Sequence, residues 1–266
     1  MWKSIRLIMA AAGFTVLFVA VQWGLAQMIY VFIPAAADWD VLLVSAICDF
    51  GLIMLFIPLC RMISGGHRQM PSPKDIGIIN LVLIVAGIYC CDIFSSSVIS
   101  LFDLDANSSY SQVTAAIQSG TLIMQVAALV IIAPLAEELA FRGTVFGSLR
   151  RSFGFWPAAL LSALAFAAMH MNMVQGVATF VVGVFFAFLY EKFGKIWVPV
   201  FAHMVMNAMA VFGMQMQEMI SENAEKIATE VSDTAGQDAV RMVIGAGAAL
   251  LIYFAIKKSK YPVRRN

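Results

Sequence analysis

Apolar runs of bilayer-crossing length recur along almost the whole chain, and nothing else in the sequence constrains the fold as tightly. Crossing a hydrocarbon core of about 30 Å takes about 20 mainly apolar residues in a helix. Lipid offers backbone N–H and C=O groups no partner, so each run must satisfy its own backbone as a helix. Hydropathy places the runs near Leu7–Ile33, Val41–Ile63, Ile76–Phe102, Thr121–Leu149, Trp156–His170, Val174–Tyr190, Ile196–Gly213 and Met242–Ile256. The expected fold is all-α: a polytopic transmembrane helical bundle of about eight helices, the fifth being the shortest. Only 12% of the 266 residues are charged, where a soluble domain carries about 25%. The chain therefore reads as one integral-membrane domain over 1–266.

Polar breaks punctuate the runs: "SGGHRQMPSPKD" after the second, "DLDANSSYSQ" after the third, and Gln215 to Arg241 before the last. The last stretch carries Glu218, Glu222, Glu225, Glu230, Asp233 and Asp238 and reads as a solvated loop, with a short amphipathic helix outside the membrane as the alternative. Alternating the spans from a cytoplasmic N terminus puts Lys3, Arg6, Arg61, Arg68, Lys74, Arg150, Arg151, Lys192, Lys195 and the basic tail on one side. Lys226 and Arg241 fall on the other. That asymmetry predicts both termini in the cytoplasm. The first apolar run is too long for a cleaved signal and is expected to stay as a span. Cys48, Cys60, Cys90 and Cys91 all sit in apolar segments and read as packing residues. The expected surroundings are the lipid bilayer, with no nucleic acid.

Against this background, "APLAEELAFRG", Ala133 to Gly143, places three ionisable groups inside a span. Each costs about 2.5–3.5 kcal/mol near the bilayer centre on insertion scales. Glu138 and Arg142 are one helical turn apart and can neutralise one another. Glu137 points about 100° away and is not obliged to join that pair. Two further spans carry a histidine: His170 follows Phe166 by one turn, and His203 precedes Asn207 by one turn. His67 lies in a polar break with no evident partner. Counted along their helices, Glu137, His170 and His203 reach a common depth and are expected to share an interior site.

Weaker marks read as architecture. Phe166 taken alone is ordinary packing. Ser95, Ser96 and Ser97 near Asp92 lack a histidine in their span and are expected to bond helix carbonyls. The many methionines are adaptable packing. The glycines of "GVATFVVG" suggest close helix contact rather than a phosphate loop.

Together, Glu137, His170, His203 and Asn207 can supply what peptide hydrolysis needs, a base to activate water and donors for the developing oxyanion. No serine or cysteine stands beside them, so direct attack by water is expected. No cofactor is favoured, but a divalent metal such as zinc on Glu137, His170 and His203 is an alternative set, although HExxH is absent. A proton- or ion-coupled transporter also lines its path with carboxylates and histidines, without here showing inverted repeats. A non-catalytic immunity or binding protein could use the same cavity to hold a peptide.

The motifs "EELAFR", "FAAMH" and "HMVMN", in that order, match EExxxR, FxxxH and HxxxN/D. In this the chain resembles the CPBP family of intramembrane proteases, which includes type II CaaX prenyl endopeptidases and bacteriocin-processing or self-immunity (Abi-like) proteins. The likeness covers Ile123 to Phe212, giving an expected catalytic core of 123–212. It implies an endopeptidase in which Glu137 and His170 activate water while His203 and Asn207 stabilise the oxyanion. Glu138, Arg142 and Phe166 would then support the site. The resemblance implies a metal-free glutamate mechanism for the CaaX members, although the family was first described as metalloproteases. No motif position departs from the pattern.

Overall fold

The computed structural model describes residues 2–33, 35–36, 39–64, 76–104, 109–224 and 235–258. His67, Arg68, Lys74, Glu225, Lys226, Glu230, Asp233, Lys260, Arg264 and Arg265 lie outside them. The described residues fold as α1 (Trp2–Phe32), α2 (Val41–Ser64), α3 (Ile78–Leu101), α4 (Tyr110–Gln118), α5 (Leu122–Leu149), α6 (Phe155–Met169), α7 (Met173–Phe193), α8 (Trp197–Ala224) and α9 (Ala235–Lys258). They contain no strand. The described residues form an all-α helical bundle in which 7 helices are long and apolar enough to cross a membrane. The expected fifth span is α6, whose 15 residues rise about 22 Å. It is shorter than the hydrocarbon layer.

Two elements differ from the sequence expectation. The break after the third span contains α4, whose 9 residues bury no side chain; mixed Ser, Thr and Gln hid it from a hydropathy reading. The stretch from Gln215 was expected to be loop, yet α8 continues to Ala224. Its "MQMQEM" segment consists of good helix formers, which carry the helix past its apolar part. The polar stretch is thus helical at both ends, with α9 beginning at Ala235.

Local signals set the boundaries around the centre of the bundle. Thr121 caps α5 by accepting a hydrogen bond from the Met124 N–H, and Asn172 caps α7 by accepting from the Gln175 N–H at 2.8 Å. Gly194 ends α7 in the left-handed region at φ 67°, where only glycine enters without cost. Ser95 and Ser97 donate to the Asp92 and Ile93 carbonyls, and Cys48, Cys90 and Cys91 are buried free thiols.

Packing divides around α5, α6, α7 and α8. On one side Phe18 of α1 and Leu52, Ile53 and Phe56 of α2 join Ala136, Leu139, Ala140 and Phe141 of α5. On the other, Ile84 and Ile88 of α3 join Val182, Phe186 and Leu189 of α7 and Ala202 of α8. Each half fills with interlocking Leu, Ile, Phe and Ala, and the polar side chains of the inner spans lie where the halves meet. α3 also packs closely along α9, where Gly245 faces the Cys90 carbonyl and the Phe94 backbone.

Candidate active site

α5 changes its winding twice. Val126–Ile132 and Leu139–Phe146 are π-helical, and the turn between them, Ala133–Glu138, is α-helical. Pro134 explains a vacancy in the first π segment. The Ala133 N–H reaches back to the Ala128 carbonyl in the i−5 pattern, so the next carbonyl, Leu129, would pair with the N–H that proline lacks. Asn207 of α8 donates to that Leu129 carbonyl at 2.7 Å. This bond satisfies a carbonyl the helix cannot and ties α8 to α5.

The short α turn presents Glu137 and Glu138, and the second π segment presents Arg142. Glu138 and Arg142 are fully buried, with Arg142 Nη1 3.0 Å from Glu138 Oε1. Arg142 Cζ lies 4.3 Å from the centroid of the Phe166 ring and 5.3 Å from that of Phe186. The guanidinium forms no well-aligned hydrogen bond among the described residues; one carboxylate and two ring faces balance its charge. Space for it comes from Gly183 of α7, where a Cβ would stand 3.2 Å from Arg142 Nη2 and 3.1 Å from the Ala163 Cβ. The close helix contact expected of this glycine is therefore real, and it also accommodates a charge.

His203 bridges the two glutamates. Its Nδ1 lies 3.0 Å from Glu138 Oε1 and its Nε2 3.7 Å from Glu137 Oε2. Phe166 meets this imidazole edge-on at 5.7 Å and Phe186 lies tilted against it at 5.2 Å, so the ring is held on both sides. The Glu137 side chain keeps 16% of its surface exposed, whereas that of Glu138 keeps none. Only Glu137 can meet a water or a substrate without the packing opening.

His170 ends α6. Its Nδ1 is 3.0 Å from the Phe166 carbonyl, and because a carbonyl only accepts, Nδ1 carries the hydrogen and Nε2 of the neutral ring carries the lone pair. Phe166 packs edge-on against this ring at 5.2 Å, so one phenyl touches both histidines and the arginine. Immediately afterwards Met171 takes a left-handed conformation at φ 53°, a strained state for a side chain with Cβ. Asn172 donates to the His170 carbonyl at 3.2 Å and its amide also bonds Gln175. This tight α6–α7 turn fixes the imidazole. No hydrogen bond joins His170 to Glu137 directly among the described residues.

Glu137, His170 and His203 were also the alternative zinc set. Among the described residues no three His, Cys, Asp or Glu side chains stand close enough to hold one metal ion. The ligand geometry does not fit a zinc site as it stands, and no step below is routed through one.

The sequence reading missed Phe186, which completes the cage around Arg142 and His203, and Asp49 of α2. Asp49 is 3% exposed and accepts a hydrogen bond from Gln22 Nε2 at 2.8 Å. A carboxylate inside a span was itself the available signal. It went unused because no charged or histidine partner follows at helical spacing. Beside the site, a cavity of about 680 Å³ runs between α1 and α6, lined by Ala12, Val16, Val19, Leu164, Met169 and Met171 among others. It is almost wholly apolar, and its last two residues flank His170.

Residues 119–209 match the family described as Type II CAAX prenyl endopeptidase Rce1-like. The chain is also 38% identical over 81 residues to a Bacillus subtilis (strain 168) protein named "Putative membrane peptidase YdiL", a match that covers 30% of this chain and 33% of the relative. It thus spans about a third of the length of that curated relative. No solved structure matches. The matched segment bears all three motifs, and in both comparisons the likeness is to membrane peptidases.

Proposed function

We propose that the chain is an intramembrane endopeptidase of glutamic type, acting on a membrane-associated or prenylated-type peptide or protein. The observation that carries this reading is the asymmetry of the paired glutamates. Glu138 is sealed against Arg142 and His203, while Glu137 is open to the interior beside the same imidazole. A fixed ion pair orients the site without entering the reaction, and a partly exposed carboxylate is left to do chemistry.

Glu137 takes a proton from water, and the water oxygen attacks the scissile carbonyl carbon. His170 presents the lone pair of Nε2 to the same water. Negative charge gathers on the carbonyl oxygen of the tetrahedral intermediate, where the Nε2–H of His203 in its imidazolium form, with Nδ1–H held by Glu138, and the second N–H of the Asn207 amide act as donors. The proton held by Glu137 then passes to the leaving nitrogen as the C–N bond breaks, which restores the carboxylate. The apolar cavity between α1 and α6 gives a lipid-embedded or lipid-modified substrate a route to His170. Both termini lie in the cytoplasm in this account, as the distribution of Lys and Arg indicates.

The test is cleavage of an internally quenched peptide, chosen from a library for turnover, by the purified protein in detergent. Glu137→Ala and His170→Ala abolish cleavage while retaining the helical spectrum and melting temperature, and exhaustive chelation leaves the native rate unchanged. Full activity in either variant overturns the assignment. Loss of activity on chelation, restored by zinc, replaces the metal-free mechanism with the metal one.

A further inference from the structure

A second polar cluster lies about 20 Å along α5 from Glu137, where the helix ends and Arg150 follows. Arg150 Nη2 donates to Glu191 Oε1 of α7 at 2.8 Å, and its Nη1 donates to the Phe153 carbonyl at 3.0 Å. Next to Glu191, Lys192 Nζ donates to the Lys257 carbonyl at 3.0 Å, one of those that the end of α9 leaves without a helical partner. Aromatic rings close the sides. Tyr253 of α9 packs against Phe188 at 4.6 Å and Trp156 at 6.4 Å, and the Lys257 ammonium stands 5.4 Å from the centre of the Tyr253 ring. The ends of α5, α7 and α9 and the start of α6 thus meet at one end of the bundle.

They surround a cavity of about 240 Å³ whose polar lining is Arg150, Glu191, Lys192 and Lys257. Three cations and one carboxylate leave two positive charges in excess. Packing accounts for only part of this set. Glu191 answers Arg150, and Lys192 caps α9. The Lys257 ammonium, by contrast, meets no carboxylate among the described residues, and Arg150 Nε is buried without a hydrogen-bond partner among them. A buried donor that lacks an acceptor and a charge that lacks a counter-charge are both satisfied by an oxyanion.

The place of the cavity in the fold narrows the source of that anion. Spans end at this level, which puts the cavity at the edge of the hydrocarbon layer, where headgroups sit and where Trp and Tyr gather. Leading away from it, Trp156, Leu160 and Leu164 of α6 follow one another at one-turn spacing and are 55%, 44% and 58% exposed. That stripe offers acyl chains an apolar path. The distribution of Lys and Arg assigns this end to the cytoplasm, where the leaflet carries anionic lipid.

We propose that the cavity is a binding site for the phosphate of an anionic phospholipid, seated among Arg150, Lys192 and Lys257, with the acyl chains along the exposed stripe of α6. The site is separate from the paired glutamates and does not rest on the proposed hydrolysis.

The test is native mass spectrometry of the purified full chain in detergent, titrated with dioleoyl phosphatidylglycerol, with dioleoyl phosphatidylcholine and with inorganic phosphate. Phosphatidylglycerol is expected to bind one molecule per chain, ahead of phosphatidylcholine. Lys257→Gln weakens that binding about fivefold, the effect of one cation at a lipid surface, and Lys257→Arg keeps it. Lys258→Gln removes a neighbouring exposed charge outside the cavity lining and leaves binding at native strength. Equal binding of the two lipids, or equal losses in Lys257→Gln and Lys258→Gln, overturns the proposal. If inorganic phosphate competes as strongly as phosphatidylglycerol, the cavity takes free phosphate and the lipid assignment fails.

Discussion

α1 and α7 are nearly equal in apolar character, yet 44% of the membrane window of α7 is buried and only 11% of that of α1. Lipid chains and protein interior are equally apolar, so hydropathy finds a span without saying which neighbour it will have. What separates the two is detail at single positions. α7 turns Gly183, Thr179 and Phe186 inward, a small residue, a hydroxyl and a ring that admit or contact other helices. α1 leaves Val16, Leu17, Trp23 and Val31 exposed and engages the bundle through one stripe: Thr15 and Phe18 are buried, and Gln22 binds Asp49. The inner helices hold the charges of the site, and the outer one bonds a buried carboxylate through a single amide.

Substitutions can break this contrast, beginning with the largest effect. Arg142→Met strands the buried Glu138 carboxylate and is expected to lower stability by about 3–5 kcal/mol, whereas Arg142→Met with Glu138→Gln recovers most of the loss because no unpaired charge remains. Denaturation in detergent measures both. Next comes Asn207→Leu, which leaves the half-buried Leu129 carbonyl without a donor and costs about 1–3 kcal/mol in the same assay. Glycine substitutions then compare inner and outer helices directly. Gly183→Ala pushes a methyl into Ala163 and Arg142 and is expected to cost about 1–3 kcal/mol. Gly24→Ala on α1, with nothing within 4 Å, costs nothing and lowers the melting temperature not at all. Equal losses at the two glycines would mean that α1 is packed against more than its one stripe.

The spans were legible because a run of apolar residues has one solution in a bilayer, and the glutamates, arginine and histidines stood out because ionisable groups are rare there. The i, i+4 spacing of Glu138 and Arg142 was enough to anticipate their ion pair. Other features depend on partners distant in sequence. Nothing near Asn207 announces the Leu129 carbonyl 78 positions away, because the vacancy is created by Pro134 within a π segment. Phe166 reads as packing until three helices place His170, His203 and Arg142 around its ring. Asp49 needed no structure to be noticed; its amide partner on α1 did.

The account turns on adjacent glutamates having different work, and one paired measurement tests that most directly: peptide turnover and melting temperature for Glu137→Gln and Glu138→Gln side by side. Glu137→Gln is expected to lose about 100- to 10,000-fold in kcat at the native melting temperature, while Glu138→Gln, which leaves Arg142 buried without its counter-charge, melts several degrees lower. Native turnover in Glu137→Gln, or an unchanged melting temperature in Glu138→Gln, would contradict it.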